Sequence, residues 1–314
     1  MGAMRAVVVE PESSSRLALR AVDEPSPCPS EALVRVAAIS LNRGEVRRAM
    51  IAAERGFRPG WDLAGTVEHP ARDGSGPQRG ARVVGLLGSG AWAELVAVPT
   101  NALAELPEAV TFAQAATLPV AGLTALYALE KGGGLVGRNV LITGASGGVG
   151  LFACRLARMS GARVVGVVRR AEREATVREA GAHEVVIGED AAREHGPYDL
   201  VLESVGGEAL GNALSMLTTG GTCVSFGVSA AAETTFDVRT FYFTGGATLY
   251  GFILFHEILA NPASEGLARL LRLVAEGSLK PRIELEAPWS EIGELAGRLM
   301  NRDYAGKAVL HVGN

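Results

Sequence analysis

The chain has 314 residues, 48% of them hydrophobic, 5% aromatic and 20% charged, with a net charge of −4. Forty are Gly, about twice the usual ~7% share, but without the every-third-residue period of collagen, and the apolar content excludes a disordered chain. The acidic balance offers no basic field for a phosphate backbone, so nucleic acid is not an expected partner.

The first hundred residues read as short β-branched strands at 5–10 (RAVVVE), 32–39 (ALVRVAAI), 63–68 (LAGTVE), 82–87 (RVVGLL) and 93–98 (AELVAV). Turn signals such as Asp73-Gly74, Gly76-Pro77 and Arg79-Gly80 separate them, which predicts a small antiparallel β domain. The pattern changes near Thr111. A helical stretch broken at Pro119 runs to about Glu130. Strands are then predicted at 139–143, 163–168, 184–187, 199–203, 222–227 and 248–253, with helices at 151–160, 171–180 and 208–217 between them. Six strands with helical crossovers predict an α/β domain with a doubly wound parallel sheet. Helices at 265–276 and 290–300 lead to a last strand at 307–312.

Cys28, Cys154 and Cys223 are odd in number, far apart and without a CxxC pair, as expected in a reducing compartment. The start MGAMRAVVVE has no secretory apolar run, and Ala6 stands where a myristoylation signal carries Ser or Thr. The uncharged runs 109–129 and 209–232 are interrupted by polar residues, Pro and Gly, so neither is a dense apolar span. The expectation is a soluble cytoplasmic protein without a membrane partner.

The strongest local motif is Asn139-Val-Leu-Ile-Thr-Gly-Ala-Ser-Gly-Gly-Val-Gly150, an apolar strand entering a glycine turn and then a helix. This context predicts a dinucleotide site built from Gly144, Ala145, Ser146, Gly147, Gly148, Val149 and Gly150. Against the GxGxxG template Ala145 takes the first position, Gly147 lets the backbone approach a pyrophosphate, and Gly150 lets the helix pack on the strand. The helix N-terminus supplies N–H donors to the anion. At the end of the next strand an NAD site carries an acid for the ribose 2′-hydroxyl. Here Val168 holds that place, followed by Arg169 and Arg170, which suit a 2′-phosphate; NADPH is the expected cofactor.

Taken in order, MRAVVVE, EALVRVAAISLNRGEV, PGWDLAGTVE, LPVAGLTALYAL, the glycine loop and GKAVLHV resemble the medium-chain dehydrogenase/reductase superfamily, in its zinc-free quinone oxidoreductase branch. The resemblance implies a Rossmann doubly wound parallel sheet with a GroES-like antiparallel β domain. It places the GroES-like catalytic domain at 1–112, completed by about 285–314, and the Rossmann domain at 113–284. It also implies no metal. Asn42 stands where the zinc branch has its first Cys, Trp61 replaces the His of GHExxG, and the structural four-Cys lobe is missing; amide and indole are poor zinc ligands. The five histidines form no ligand cluster in the sequence.

Without a Lewis acid, alcohol oxidation is disfavoured, whereas a quinone or α,β-unsaturated carbonyl is already electrophilic and needs hydride and orientation. The resemblance places Asn42 and Thr124 near the nicotinamide and its ribose, where each can bond a carboxamide or a substrate oxygen. It sets Ser204 and Val205 by the adenosine ribose, and Phe226, Gly227, Phe252 and Ile253 beside the nicotinamide ring. Relatives often carry Tyr five residues after that Asn; here it is Arg47, which either binds a substrate oxygen or is a solvated residue. An enoyl thioester is therefore an open alternative substrate. A cofactor-binding module without turnover is an open alternative function. A short-chain dehydrogenase is disfavoured, because Tyr127-Ala-Leu-Glu-Lys131 spells YxxxK before the glycine loop instead of after it. Residues 240–255 form an apolar segment at the sheet edge, and the resemblance implies that two such sheets pair there into a homodimer; an exposed long edge strand is otherwise an aggregation liability.

Overall fold

The computed structural model describes residues 2–313. The chain divides into two compact units, Met1–Leu123 with Ile258–Asn314, and Thr124–Glu257.

The first unit opens with an antiparallel hairpin of β1 (Ala3–Val9) and β2 (Leu17–Asp23). β3 (Glu31–Ser40) follows, then the short helix α1 (Arg43–Arg47), β4 (Asp62–His69), β5 (Arg82–Leu86), β6 (Leu95–Pro99), β7 (Leu103–Glu105) and the short helix α2 (Phe112–Ala116). β3 shows how the sequence sets the sheet: Ala32, Val34 and Val36 face the core, while Arg35 between them turns outward and pairs with Glu68 across the strand. Trp92 and Trp289 are fully buried in this core, together with Ile39 and Leu63.

Helix α3 (Leu123–Glu130) begins the second unit, which continues through β8 (Asn139–Ile142), α4 (Gly148–Met159), β9 (Arg163–Val168), α5 (Glu174–Glu179), β10 (Glu184–Ile187) and β11 (Tyr198–Glu203). It closes with α6 (Gly207–Leu214), β12 (Leu217–Ser225), α7 (Val238–Thr244), β13 (Thr248–Gly251) and the start of α8 (Leu254–Ala260). The sheet order is β10-β9-β8-β11-β12-β13, and every pairing is parallel. Chain order reverses between β8 and β11, which opens a crevice at the carboxyl ends of those strands. β8, β9 and β11 are almost wholly buried, as a sheet covered by helices on both faces requires.

The chain then returns to the first unit through α9 (Ala263–Ala275), β14 (Ile283–Pro288), α10 (Ile292–Asn301) and β15 (Lys307–His311). β15 pairs antiparallel with β3, and β14 extends the sheet in parallel with β15. This α/β architecture, a Rossmann-type sheet and a separate GroES-like sheet, is the one the sequence predicts.

The boundaries read from the sequence, 112/113 and 284/285, differ from those of the compact units. Residues 113–123 and 258–284 pack with the first unit. The backbone N–H of Val120 donates to Asp62, and Leu270 lies so close over Gly122 that a Cβ there would stand 2.9 Å from its Cδ1. β2, β7 and β14 escape the sequence reading because they are short or carry polar residues on their open sides.

Candidate functional site

In the second unit the glycine motif forms the turn between β8 and α4. Gly144 takes φ 58, a left-handed conformation that costs glycine least. A Cβ on Gly150 would stand 2.6 Å from Ala145 Cα and from the Ala145 and Gly144 oxygens, so the chain itself demands glycine there. Gly147 is different. A Cβ there would meet only the Gly144 oxygen, at 3.3 Å. Gly147 is also the N-cap of α4 and has no side chain to cap its first turn. The open cradle above Gly147 and the uncapped helix end fit the pyrophosphate of a dinucleotide.

Three more segments converge beside this turn. Glu203, at the end of β11, is fully buried and accepts hydrogen bonds from Val205 N at 2.7 Å, Gly206 N at 3.1 Å and Thr143 Oγ1 at 3.2 Å. Burial pushes its carboxyl above the usual range, while these donors pull it back. Ser204 N donates to Thr143 Oγ1 and Ser204 Oγ to Thr143 O, joining this loop to the glycine turn. Phe226 N donates to Glu203 O, and a Cβ on Gly227 would stand 2.8 Å from Ser204 O. Phe252 N donates to Ser225 O, and the Phe226 and Phe252 rings meet edge to face at 6.4 Å. Ser204, Val205, Phe226, Gly227 and Phe252 are thus gathered with the glycine turn at the carboxyl edge of the sheet, and Ile253 follows Phe252, exposed. At the neighbouring strand β9, Val168 is buried, while Arg169 and Arg170 are exposed where an NAD site would present an acid. Thr124 is buried near the start of α3.

The first unit carries a different cluster. Asp62, at the start of β4, is fully buried, and its Oδ2 accepts from Ser40 Oγ at 2.5 Å, Asn42 Nδ2 at 2.7 Å and Lys307 Nζ at 3.3 Å. Its Oδ1 accepts from Val120 N at 3.0 Å. Lys307, which opens β15 and is also buried, donates to Asn42 Oδ1 at 2.6 Å and Leu41 O at 2.9 Å. Asn42 caps α1, and Glu45 reaches back to accept from its backbone N–H at 2.8 Å and from its Nδ2 at 2.9 Å. Burial first, then the Asp62 charge, holds the Glu45 carboxyl well above the usual carboxylate range, against the pull of Lys307 and Asn42. Arg47, the last residue of α1, is exposed.

Sequence reasoning did not single out Ser40, Glu45, Asp62 or Lys307. The available signal was an ionisable residue at the start of an apolar strand: Asp62 before Leu-Ala-Gly, and Lys307 before Ala-Val-Leu. Buried charges of this kind require partners, but the partners lie up to 265 positions away in the chain. A resident zinc does not fit the donors around Asn42. The acceptors there already hold the Lys307 ammonium, and the Trp61 indole lies over Gly44 and donates to Gly88 O at 3.0 Å. Among the described residues, no three His, Cys, Asp or Glu side chains gather as a metal cluster.

The Alcohol dehydrogenase GroES-like domain family matches residues 28–108, and the Zinc-binding dehydrogenase family matches residues 148–275. A quinone oxidoreductase of Rattus norvegicus is 32% identical over 67% of this chain and 68% of its own length. A mycocerosic acid synthase-like polyketide synthase of Mycobacterium tuberculosis is 30% identical over 98% of this chain, which spans only 15% of that protein. A mycobacterial protein solved in complex with NADPH superposes with a TM-score of 0.88, at 26% identity, over 98% of this chain and 99% of its own. The fold and the glycine-turn crevice define a two-unit dinucleotide-dependent oxidoreductase. The chain belongs to the medium-chain dehydrogenase/reductase superfamily, among its quinone oxidoreductase-like members. No helix among the described residues is long and apolar enough to cross a membrane.

Proposed function

We propose that the protein is an NADPH-dependent, zinc-independent reductase that transfers hydride to a quinone or an α,β-unsaturated carbonyl. The observation that carries this reading is the carboxyl edge of the second unit's sheet, where an open glycine cradle adjoins a β9 end with two arginines and no acid. Bound NADPH supplies the hydride. The chain's residues bind and orient: the α4 N-terminus and Gly147 take the pyrophosphate, and Arg169 and Arg170 pair with the 2′-phosphate. Asn42, Arg47 and Thr124 are assigned to the nicotinamide and substrate end. With an electrophilic substrate, placing the acceptor carbon against the cofactor supplies much of the rate. One proton taken up from solvent completes the reduction of an enone to the saturated carbonyl.

A second reading is reduction of an enoyl thioester, supported by the 30% identity to a polyketide synthase over nearly the whole chain. NADPH oxidation measured across quinones, enones and enoyl thioesters separates the two. Turnover of the thioesters alone favours the second, and tight NADPH binding with no turnover of any class rejects both.

The same reading places the protein in the cytoplasm as a homodimer paired along β13. That strand is the free edge of its sheet, Leu249 on it is exposed, and α7 presents Val238, Tyr242 and Phe243 to solvent. Such an edge is otherwise an aggregation hazard. A monomer mass by light scattering rejects the dimer.

A further inference from the structure

A neutral imidazole that accepts a hydrogen bond on one nitrogen carries its hydrogen on the other. His183, between α5 and β10 in the second unit, is such a ring. The backbone N–H of Val164 donates to its Nδ1 at 3.0 Å, and the His183 backbone N–H donates to Val164 O at 2.8 Å. Desolvation of the ring first, then the charges of Arg158 and Arg163, hold the imidazole below the usual histidine range, with Glu184 pulling the other way. The ring is therefore neutral at pH 7, with its hydrogen on Nε2. His183, Arg158 and Arg163 are all exposed. Arg158 sits in the last turn of α4, its Cβ 3.2 Å from where a Cβ on Gly181 would stand, and Arg163 opens β9 directly before Val164. The carboxylates of this region have their own partners: Asp199 takes Arg138 at 2.7 Å and the Asn139 backbone N–H at 2.8 Å, and Glu184 lies 3.9 Å from Arg178, which also donates to His183 O. Among the described residues no acceptor holds the Arg158 or Arg163 guanidinium or the His183 Nε2–H.

We propose that His183 Nε2, Arg158 and Arg163 form a binding site for a phosphate group at the amino edge of the second unit's sheet. Three donor groups suit a tetrahedral oxyanion, and the two guanidinium charges match a phosphate dianion. The Val164 bond fixes which edge of the imidazole donates, so one member of the site is oriented before any ligand arrives. The site is separate from the cofactor crevice: Arg163 and Val168 stand at opposite ends of β9, about 17 Å apart at the rise of a strand. An anion there would tie together the end of α4, the start of β9 and the entry to β10. The ligand is inorganic phosphate or a phosphorylated metabolite, which share this chemistry.

The test is an NMR titration of the full chain, labelled with nitrogen-15, with inorganic phosphate and separately with glycerol phosphate, against chloride at equal ionic strength. The Val164 amide reports the site in every variant, and the imidazole resonances give the His183 tautomer. The expected result is a ring with its hydrogen on Nε2 and a saturable phosphate response that chloride does not reproduce. The pH at which His183 titrates should also rise when phosphate is bound, because a nearby dianion favours the imidazolium. His183→Asn keeps an oxygen for the Val164 N–H and has no group at the Nε2 position. It should unfold at the wild-type temperature and bind phosphate about 10-fold more weakly, the size of one lost hydrogen bond. R158A/R163A, which changes only exposed side chains, should lose saturable binding. A response that chloride reproduces, a hydrogen on Nδ1, or phosphate binding by H183N or R158A/R163A as tight as in wild type overturns the site. Inorganic phosphate binding at least as tightly as the ester assigns the free ion, and tighter binding of the ester assigns a phosphorylated metabolite; each supports the site. The readout is local to Val164 and His183, so its failure leaves the NADPH reading untouched, and a chain that binds no NADPH still reports on this site.

Discussion

The glycine crevice of the second unit and the charged cluster of the first are built by opposite means. The crevice is made by leaving side chains out. Gly144 allows the turn, Gly150 lets α4 meet the loop, and Gly147 keeps the backbone bare. The cluster is made by bringing side chains in: an ammonium, two carboxyl groups, an amide and a hydroxyl, nearly all fully buried and mutually bonded. A site of the first kind tolerates change wherever no atom stands in the way. A site of the second kind fails as a whole when one partner is removed, because the remaining charges are already out of water.

The largest effect is expected where a buried charge is stranded. Asp62→Ala removes the acceptor of Lys307, Asn42, Ser40 and Val120 in one step. Urea unfolding should show a loss of about 3–5 kcal/mol, with D62N/K307M recovering most of it. A loss within about 0.5 kcal/mol would mean that the cluster is solvated in solution, and the contrast between the two units would collapse.

The glycine crevice should divide its own residues. Gly150→Ala puts a Cβ 2.6 Å from backbone atoms that belong to the fold, so it should cost about 1–3 kcal/mol of stability and lower NADPH affinity with it. Gly147→Ala meets one oxygen at 3.3 Å, so stability should hardly move while NADPH binding weakens. Equal losses of stability in the two variants would show that Gly147 serves the turn and not the pyrophosphate.

Arg169 and Arg170 sharpen the same unit at its edge. R169A/R170A should raise KM for NADPH about 10-fold or more and leave KM for NADH nearly unchanged, since only the former brings a 2′-phosphate to pair with. Comparable changes for both cofactors would assign the arginines to solvent.

The same contrast decides what could be read without a structure. The second unit's site is local: a strand, a glycine turn and a helix within residues 139–159, then Val168-Arg169-Arg170 a few positions later. Backbone requirements leave a mark at the position that has them, so spacing alone places them. The first unit's cluster is non-local. Lys307 meets Asn42 across 265 positions and Asp62 across 245, and no periodicity links them. Asn42 was legible as a site residue only through resemblance, and nothing in its own segment announces that its amide is bonded to Asp62, Glu45 and Lys307. The first compact unit likewise takes in residues 113–123 and 258–284 through tertiary contacts, such as Val120 with Asp62 and Leu270 over Gly122, that no local pattern carries.

The finest distinction between the units lies in their two buried carboxyl groups. Both Glu45 and Glu203 are raised by burial. Glu203 keeps backbone donors from Val205 and Gly206 on its oxygens and a hydroxyl from Thr143, all of which favour its charged form. Glu45 faces the Asp62 charge, which reinforces the effect of burial, and its Oε2 has no hydrogen-bond partner among the described residues. A carboxyl raised on folding binds its proton more tightly in the native state than in the unfolded one. Its contribution to stability is therefore fully present below the ordinary glutamate range and is lost as pH rises through the folded value. Glu45→Gln can keep the oxygen that accepts from Asn42 and cannot ionise. Denaturation across pH should then show the variant matching wild type in acid and exceeding it as pH rises, with a flatter curve. Glu203→Gln should flatten the curve less, because it also replaces a carboxylate that the backbone donors hold in place. If E45Q and wild type run parallel at every pH, Glu45 titrates as an ordinary carboxylate. The first unit's cluster would then hold its second negative charge in the folded state without cost, and the orientation of Asn42 would be fixed by two anions and one cation instead of one of each.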